Sequence, residues 1–180
     1  RIGWMMDNFL SEKKVMPMLI VMADGMMSED GDPEKKINPS LFTKFLTQDL
    51  MPYVEARYRV LTGRENCAVA GLSMGSMQAA MAAFSYPEKF ACIGVEEIAD
   101  SHLMQAFADV EAFNQNTRLL FRAMGREDSF FSWFMQEDQL CEDYGFKQVR
   151  RVYEGGHDWN VWRKCAAEFL PMLFRTQEMR

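Results

Sequence analysis

Gly71-Leu72-Ser73-Met74-Gly75 follows directly on the apolar run Cys67-Ala68-Val69-Ala70 and leads into a helix-compatible stretch that begins near Ser76. Read in order, these residues predict a strand, a sharp turn and a helix. That combination holds a serine at the exposed tip of the turn, at the top of a sheet. A glycine on either side relieves crowding where the backbone is strained and where strand and helix pack closely. A GxSxG alone is weak evidence, and its strand and helix context is what gives it weight here. Ser73 is the candidate nucleophile.

The rest of the chain bounds what that serine belongs to. A length of 180 residues with 48% hydrophobic content is enough for one domain with a substantial core, and we read residues 1–180 as a single domain. No apolar run reaches the roughly 18 residues needed to cross a bilayer, since Val15 to Ala23 stops at Asp24, so the reading is of a soluble protein without a membrane partner. The net charge is −6, from 26 acidic and 20 basic residues spread along the chain, which argues against a nucleic-acid partner. Cys67, Cys92, Cys141 and Cys165 lack CxxC spacing and lie mostly in apolar segments, so neither structural zinc nor a disulfide framework is expected. Nothing calls for a metal or a cofactor. Sixteen methionines are read mainly as core filling.

Strand and helix signals alternate along the chain. Met18 to Ala23 is a short apolar run read as a strand buried on both faces, and Asp24 to Pro39 as a polar loop. Asn38-Pro39 supplies a cap and a first-turn proline for a long amphipathic helix with Leu41, Phe42, Phe45, Leu46, Leu50, Tyr53 and Val54 on one face. After the serine turn and its helix come a strand near Ala91 to Val95, a helix around Leu103 to Phe113 and a strand at Leu119 to Met124. A helix from Phe130 to Tyr144, a strand from Lys147 to Tyr153 and a helix from Trp159 to Phe174 complete the series, the last burying Trp162, Phe169, Leu170 and Leu173. Such repeated units imply an α/β fold with a mostly parallel sheet covered on both faces.

A serine hydroxyl needs an adjacent base, and the chain has only two histidines to offer. His157 lies in Glu154-Gly155-Gly156-His157-Asp158, between the last strand and the last helix, at the carboxyl edge where α/β sites form. His102 follows a different strand. The chain order nucleophile, acid, histidine favours His157. For the carboxylate that fixes the imidazole tautomer, Asp128 in Gly125-Arg126-Glu127-Asp128-Ser129 is the choice, with Glu127 and Asp100 as rivals and helix capping as its plainer role. Glu96 and Glu97, adjacent at a strand end, are read as structural or solvent-facing. Trp133 and Trp159 are candidates for binding substrate, and helical spacing makes Trp162 mainly a core residue.

Three segments are also similar to a known family. AGLSMG at Ala70 to Gly75, GRED at Gly125 to Asp128 and GGHDWNVWR at Gly155 to Arg163 resemble the esterase D and feruloyl esterase family. Weaker similarity runs through Met6 to Gly25, Asp49 to Val60 and Phe90 to Gly94. The resemblance implies an α/β-hydrolase fold, a three-layer sandwich around a mostly parallel sheet, and a serine carboxylesterase with Ser73 as nucleophile, Asp128 as acid and His157 as base. Feruloyl or acetyl esters of plant cell-wall polysaccharide are the implied substrates, with siderophore esters, small thioesters and acyl transfer as relatives' chemistries. It further implies secretion or a periplasmic location, and that early strands of the fold, ending in a His-Gly loop, are absent from this polypeptide. Ser76 stands where the family usually has another glycine, a change expected to crowd the helix slightly against the sheet.

The oxyanion of an acyl-transfer intermediate needs donors, of which the Met74 N–H is the first. The second is expected from another segment such as Asp24-Gly25 or from a partner subunit; without it, slow ester hydrolysis is expected. An open sheet edge would also favour a homo-oligomer. A non-catalytic binding module on the same fold is the competing reading, and a short aryl ester assay on wild type and Ser73→Ala separates the two.

Overall fold

The apolar runs after Cys67 pair side by side. In the computed structural model, which describes residues 2–31, 34, 36–96, 98 and 108–175, β1 (Ala68–Ala70), β2 (Cys92–Val95), β3 (Leu119–Gly125) and β4 (Val149–Tyr153) form one parallel sheet in that order. The register pairs Ala70 with Gly94, Val95 with Arg122, and Gly125 with Tyr153. All four strands therefore end along one rim. Among the described residues β1 has a neighbour on one side only.

Side chains alternate across a strand, and here they build two cores. Val69, Ile93, Val95 and Leu120 face one side, where they meet Ala79, Ala80, Ala83 and Phe84 of α4 (Met74–Ser85), Phe113 of α5 (Val110–Asn116) and Cys141 of α6 (Phe131–Tyr144). Ala68, Cys92, Leu119, Phe121 and Ala123 face the other, where Val161, Cys165 and Phe169 of α7 (Trp159–Phe169) and Met6 of α1 (Ile2–Ser11) cover them. Helices on both faces of a parallel sheet make the three-layer α/β sandwich that the sequence predicts.

Other elements depart from the sequence reading. Met18 to Ala23 is extended but not a strand, and it is not buried on both faces: Met18 and Ile20 pack toward the core, whereas Leu19, Val21 and Met22 are exposed. A strand needs a hydrogen-bonding partner, and none of the described strands pairs with this segment. The long helix expected after Asn38 is present as α2 (Pro39–Lys44), a π-helical stretch (Phe45–Leu50) and α3 (Met51–Arg57), with Asn38 capping Ser40 and Leu41. Its fully buried residues are Thr43 and Thr47 rather than the apolar stripe, and each hydroxyl donates to the carbonyl four residues back. The final helix ends at Phe169 and tightens into a 3-10 turn, Leu170–Met172, with Phe169, Leu170 and Leu173 buried as expected. Of the helix predicted around Leu103 to Phe113, residues 103–107 lie outside the described residues, and α5 begins at Val110 behind an Asp109 cap. No helix among the described residues is long and apolar enough to cross a membrane.

One buried charge holds a helix to the sheet. Arg122 of β3, wholly inaccessible, donates to Glu137 Oε2 at 2.7 Å and Asp138 Oδ1 at 2.6 Å, both on α6, and its guanidinium lies 4.5 Å from the Phe134 ring centre. Glu137 also accepts the Ile98 N–H at 3.0 Å from both oxygens, which ties the segment after β2 to α6.

Candidate active site

The turn after β1 is strained. Ser73 has φ 54° and ψ −126°, outside the regions that L-residues favour, and it directly precedes α4. Gly71 makes the turn possible, because a Cβ there would sit 1.9 Å from the Gly75 carbonyl oxygen. Gly75 is different: a Cβ would meet nothing within 4 Å, so no crowding requires glycine at that position. Met74 is the first residue of α4, and its N–H has no acceptor within the helix.

The loops after β3 and β4 are clamped together. Glu127 N–H donates to the Gly155 carbonyl at 2.9 Å and Arg126 N–H to that of Tyr153 at 2.8 Å. Gly125 fits only without a side chain, its Cβ position lying 2.3 Å from the Gly155 oxygen. This clamp sets Asp128 and His157 facing each other.

Ser73, His157 and Asp128 are brought into one line. His157 Nε2 lies 2.9 Å from Ser73 Oγ, and His157 Nδ1 lies 2.7 Å from Asp128 Oδ2. A carboxylate facing Nδ1 makes that nitrogen the protonated one, which leaves Nε2 free to accept the serine proton. Asp128 is buried, and its other oxygen accepts the Phe130 N–H at 3.0 Å at the entry to α6, so it serves the imidazole and the helix entry with separate atoms. Of its rivals, Glu127 is exposed, and Asp100 and the alternative base His102 lie outside the described residues.

Two residues at the site were given other roles from the sequence. Glu96 is buried rather than solvent-facing, and its carboxylate accepts the Ser73 N–H at 2.5 Å and the Trp162 indole N–H at 2.6 Å. Burial is the main reason its carboxyl is pushed above the ordinary range, against the lowering by those two donors and by His157. One atom each of Glu96, Asp128 and His157 lies within 4.8 Å of the other two. Glu97 lies outside the described residues. Trp162 is half-buried, and its ring sits edge-on to His157 with centres 5.0 Å apart, so it belongs to the site as well as to the helix. The signal for Glu96 was its place at the end of the strand next to β1. Ser76 is buried, and its hydroxyl accepts the Glu96 N–H at 2.8 Å.

Two aromatic rings, Phe130 and Trp162, pack edge-on with the imidazole. Phe130 meets His157 at 5.8 Å and Trp133 at 6.3 Å, and Trp162 meets Trp159 at 5.1 Å. Trp133 and Trp159, the outermost, are 61% and 71% exposed, enough to stack on a ligand. Across the turn, Gln78 of α4 donates to the Gly25 carbonyl at 2.8 Å, which tethers Asp24-Gly25 to the helix that carries Met74.

The Esterase family model matches residues 6–97. An endo-1,4-beta-xylanase/feruloyl esterase of Xylanibacter ruminicola is 25% identical over 177 residues, covering 97% of this chain and 24% of that protein. The chain thus spans about a quarter of the length of that curated relative, whose coverage is 24%. A ferulic acid esterase from Anaeromyces mucronatus, solved with ferulic acid, superposes with a TM-score of 0.77 at 22% identity, over 93% of this chain and 69% of that one. A feruloyl esterase module from Clostridium thermocellum, solved with sinapinate, gives 0.75 at 15% identity, over 96% and 69%. Such likenesses establish the α/β-hydrolase fold.

Proposed function

Since this chain belongs to the Esterase family, we propose that it is a serine carboxylesterase in which Ser73 forms an acyl-enzyme. The observation that carries the reading is the imidazole of His157 standing 2.9 Å from Ser73 Oγ and 2.7 Å from Asp128 Oδ2. Ser73 Oγ attacks the ester carbonyl as its proton passes to Nε2. The imidazolium, steadied by Asp128, then protonates the departing alkoxide, and the alcohol leaves. Water, deprotonated by the same nitrogen, attacks the acyl-serine and releases the acid. Met74 N–H faces the developing oxyanion as one donor, and the tether from Gln78 to Gly25 supports Asp24-Gly25 as the source of the other.

The acyl group we propose is aromatic, of the feruloyl type, esterified to plant cell-wall polysaccharide. The exposed indoles of Trp133 and Trp159, each one ring removed from the imidazole, support it, because a flat ring gains from stacking what an acetyl group cannot. Trp133→Ala is expected to raise KM for methyl ferulate by about five- to tenfold while leaving KM for an aryl acetate within about twofold, the difference being one stacking contact. Steady-state kinetics on the two esters decide it, and equal changes on both would remove the aromatic site.

A fluorophosphonate probe tests the mechanism as a whole, since it needs the nucleophile, the base and the oxyanion donors together. We expect a single adduct on the peptide that contains Ser73. An adduct on any other residue, or none from a protein that hydrolyses esters, would sink the proposal.

A further inference from the structure

Resting on that reading of Ser73, His157 and Asp128, we infer that Glu96 is a positioning residue of the same reaction, holding the nucleophile's backbone and the base's packing partner with one buried carboxylate. Its two oxygens are divided between the two halves of the chemistry. Oε2 accepts the N–H of Ser73 itself at 2.5 Å, and Oε1 accepts the indole N–H of Trp162 at 2.6 Å. Trp162 in turn lies edge-on to the His157 ring. The strained backbone of Ser73 and the orientation of the imidazole therefore share one anchor.

The anchor is itself fixed. The Glu96 N–H donates to Ser76 Oγ at 2.8 Å, so α4 and the end of β2 are tied in both directions. Two residues on, Ile98 is held by Glu137 of α6. A carboxylate that is only 3% exposed is retained at a cost unless its charge is used. The titratable groups that face it are His157 and Asp128 from the loops after β4 and β3, and Cys165 from α7; α4 presents Ser73 and Ser76. When the imidazole takes the serine proton, Glu96 adds a second nearby anion to Asp128 in stabilising the positive charge. A glutamine of the same shape cannot do this. Its one oxygen serves a single donor, and its NH2 is turned against the other N–H.

Glu96→Gln in the full chain tests the inference on a short aryl ester. We expect kcat to fall by about ten- to a hundredfold, the cost of a small misplacement, with KM within about twofold. Trp162→Phe keeps the anion and removes one donor; it lowers kcat by about tenfold, and the two substitutions together cost less than the product of each alone, since they break the same contact. That variant also carries the test should Glu96→Gln fail to fold. Wild-type kcat in a folded Glu96→Gln, a loss that falls on KM rather than on kcat, or fully multiplicative losses would overturn the role given to Glu96. The failure of the underlying reading looks different: there, Ser73→Ala would hydrolyse the ester as fast as wild type.

Discussion

Ser73→Ala is expected to lower kcat on short aryl esters by about 10⁴-fold or more, with the remnant supplied by oxyanion stabilisation and binding alone. The substitution removes the oxygen that stands 2.9 Å from His157 Nε2 and little else. Water can enter the space, but it is neither held nor oriented as the hydroxyl was. Alanine inherits the φ of 54° without easing it, so the fold should be unaffected. Parallel measurements of turnover and thermal midpoint therefore separate chemistry from folding. Turnover equal to wild type would abolish the nucleophile, and with it the roles given to His157 and Asp128.

The largest effect on stability is expected at Arg122. Arg122→Met retains an unbranched chain of similar length but leaves Glu137 and Asp138 as buried carboxylates, 7% and 6% exposed, without the guanidinium that faced them. Removing one partner from a buried ionic cluster costs about 3–5 kcal/mol, most of it the burden of the charge left behind. For a domain of this size that is a fall in Tm of about 10 °C, measured by thermal or urea unfolding. Arg150, which also pairs with Asp138, keeps part of the cluster neutralised, so Glu137 should account for most of the loss. Glu137→Gln added to Arg122→Met should restore a fraction of it. A single variant that unfolds within about 1 kcal/mol of wild type would show that the cluster is dispensable.

The layers of this fold were legible because its strands are short apolar runs and its helices carry their own punctuation. Asn38-Pro39 announces a helix start, and Gly145 ends α6 in the left-handed conformation. Ser73, Asp128 and His157 stood out for a related reason, each lying just past an apolar run. What local pattern does not carry is the neighbour. Met18 to Ala23 has the composition of a strand, yet pairing depends on a second backbone that composition cannot supply. Glu96 read only as structural or solvent-facing because its surroundings come from Ser73 and Trp162, 23 and 66 residues away. Trp162 fits a helical core stripe by spacing, but it lies in the first turn of α7, where the stripe runs out at the rim of the sheet. The buried threonines at 43 and 47 were missed because a hydroxyl bonded to its own helix hides its polarity.

The strand order bears on how activity would return to a denatured chain. Ser73 follows β1, Glu96 follows β2, Asp128 follows β3 and His157 follows β4, and the sheet stacks these strands in the order of synthesis. Half a sheet thus holds half a reaction centre. A chromogenic ester therefore reports on the register of all four ribbons at once, whereas far-ultraviolet dichroism counts helix wherever it forms.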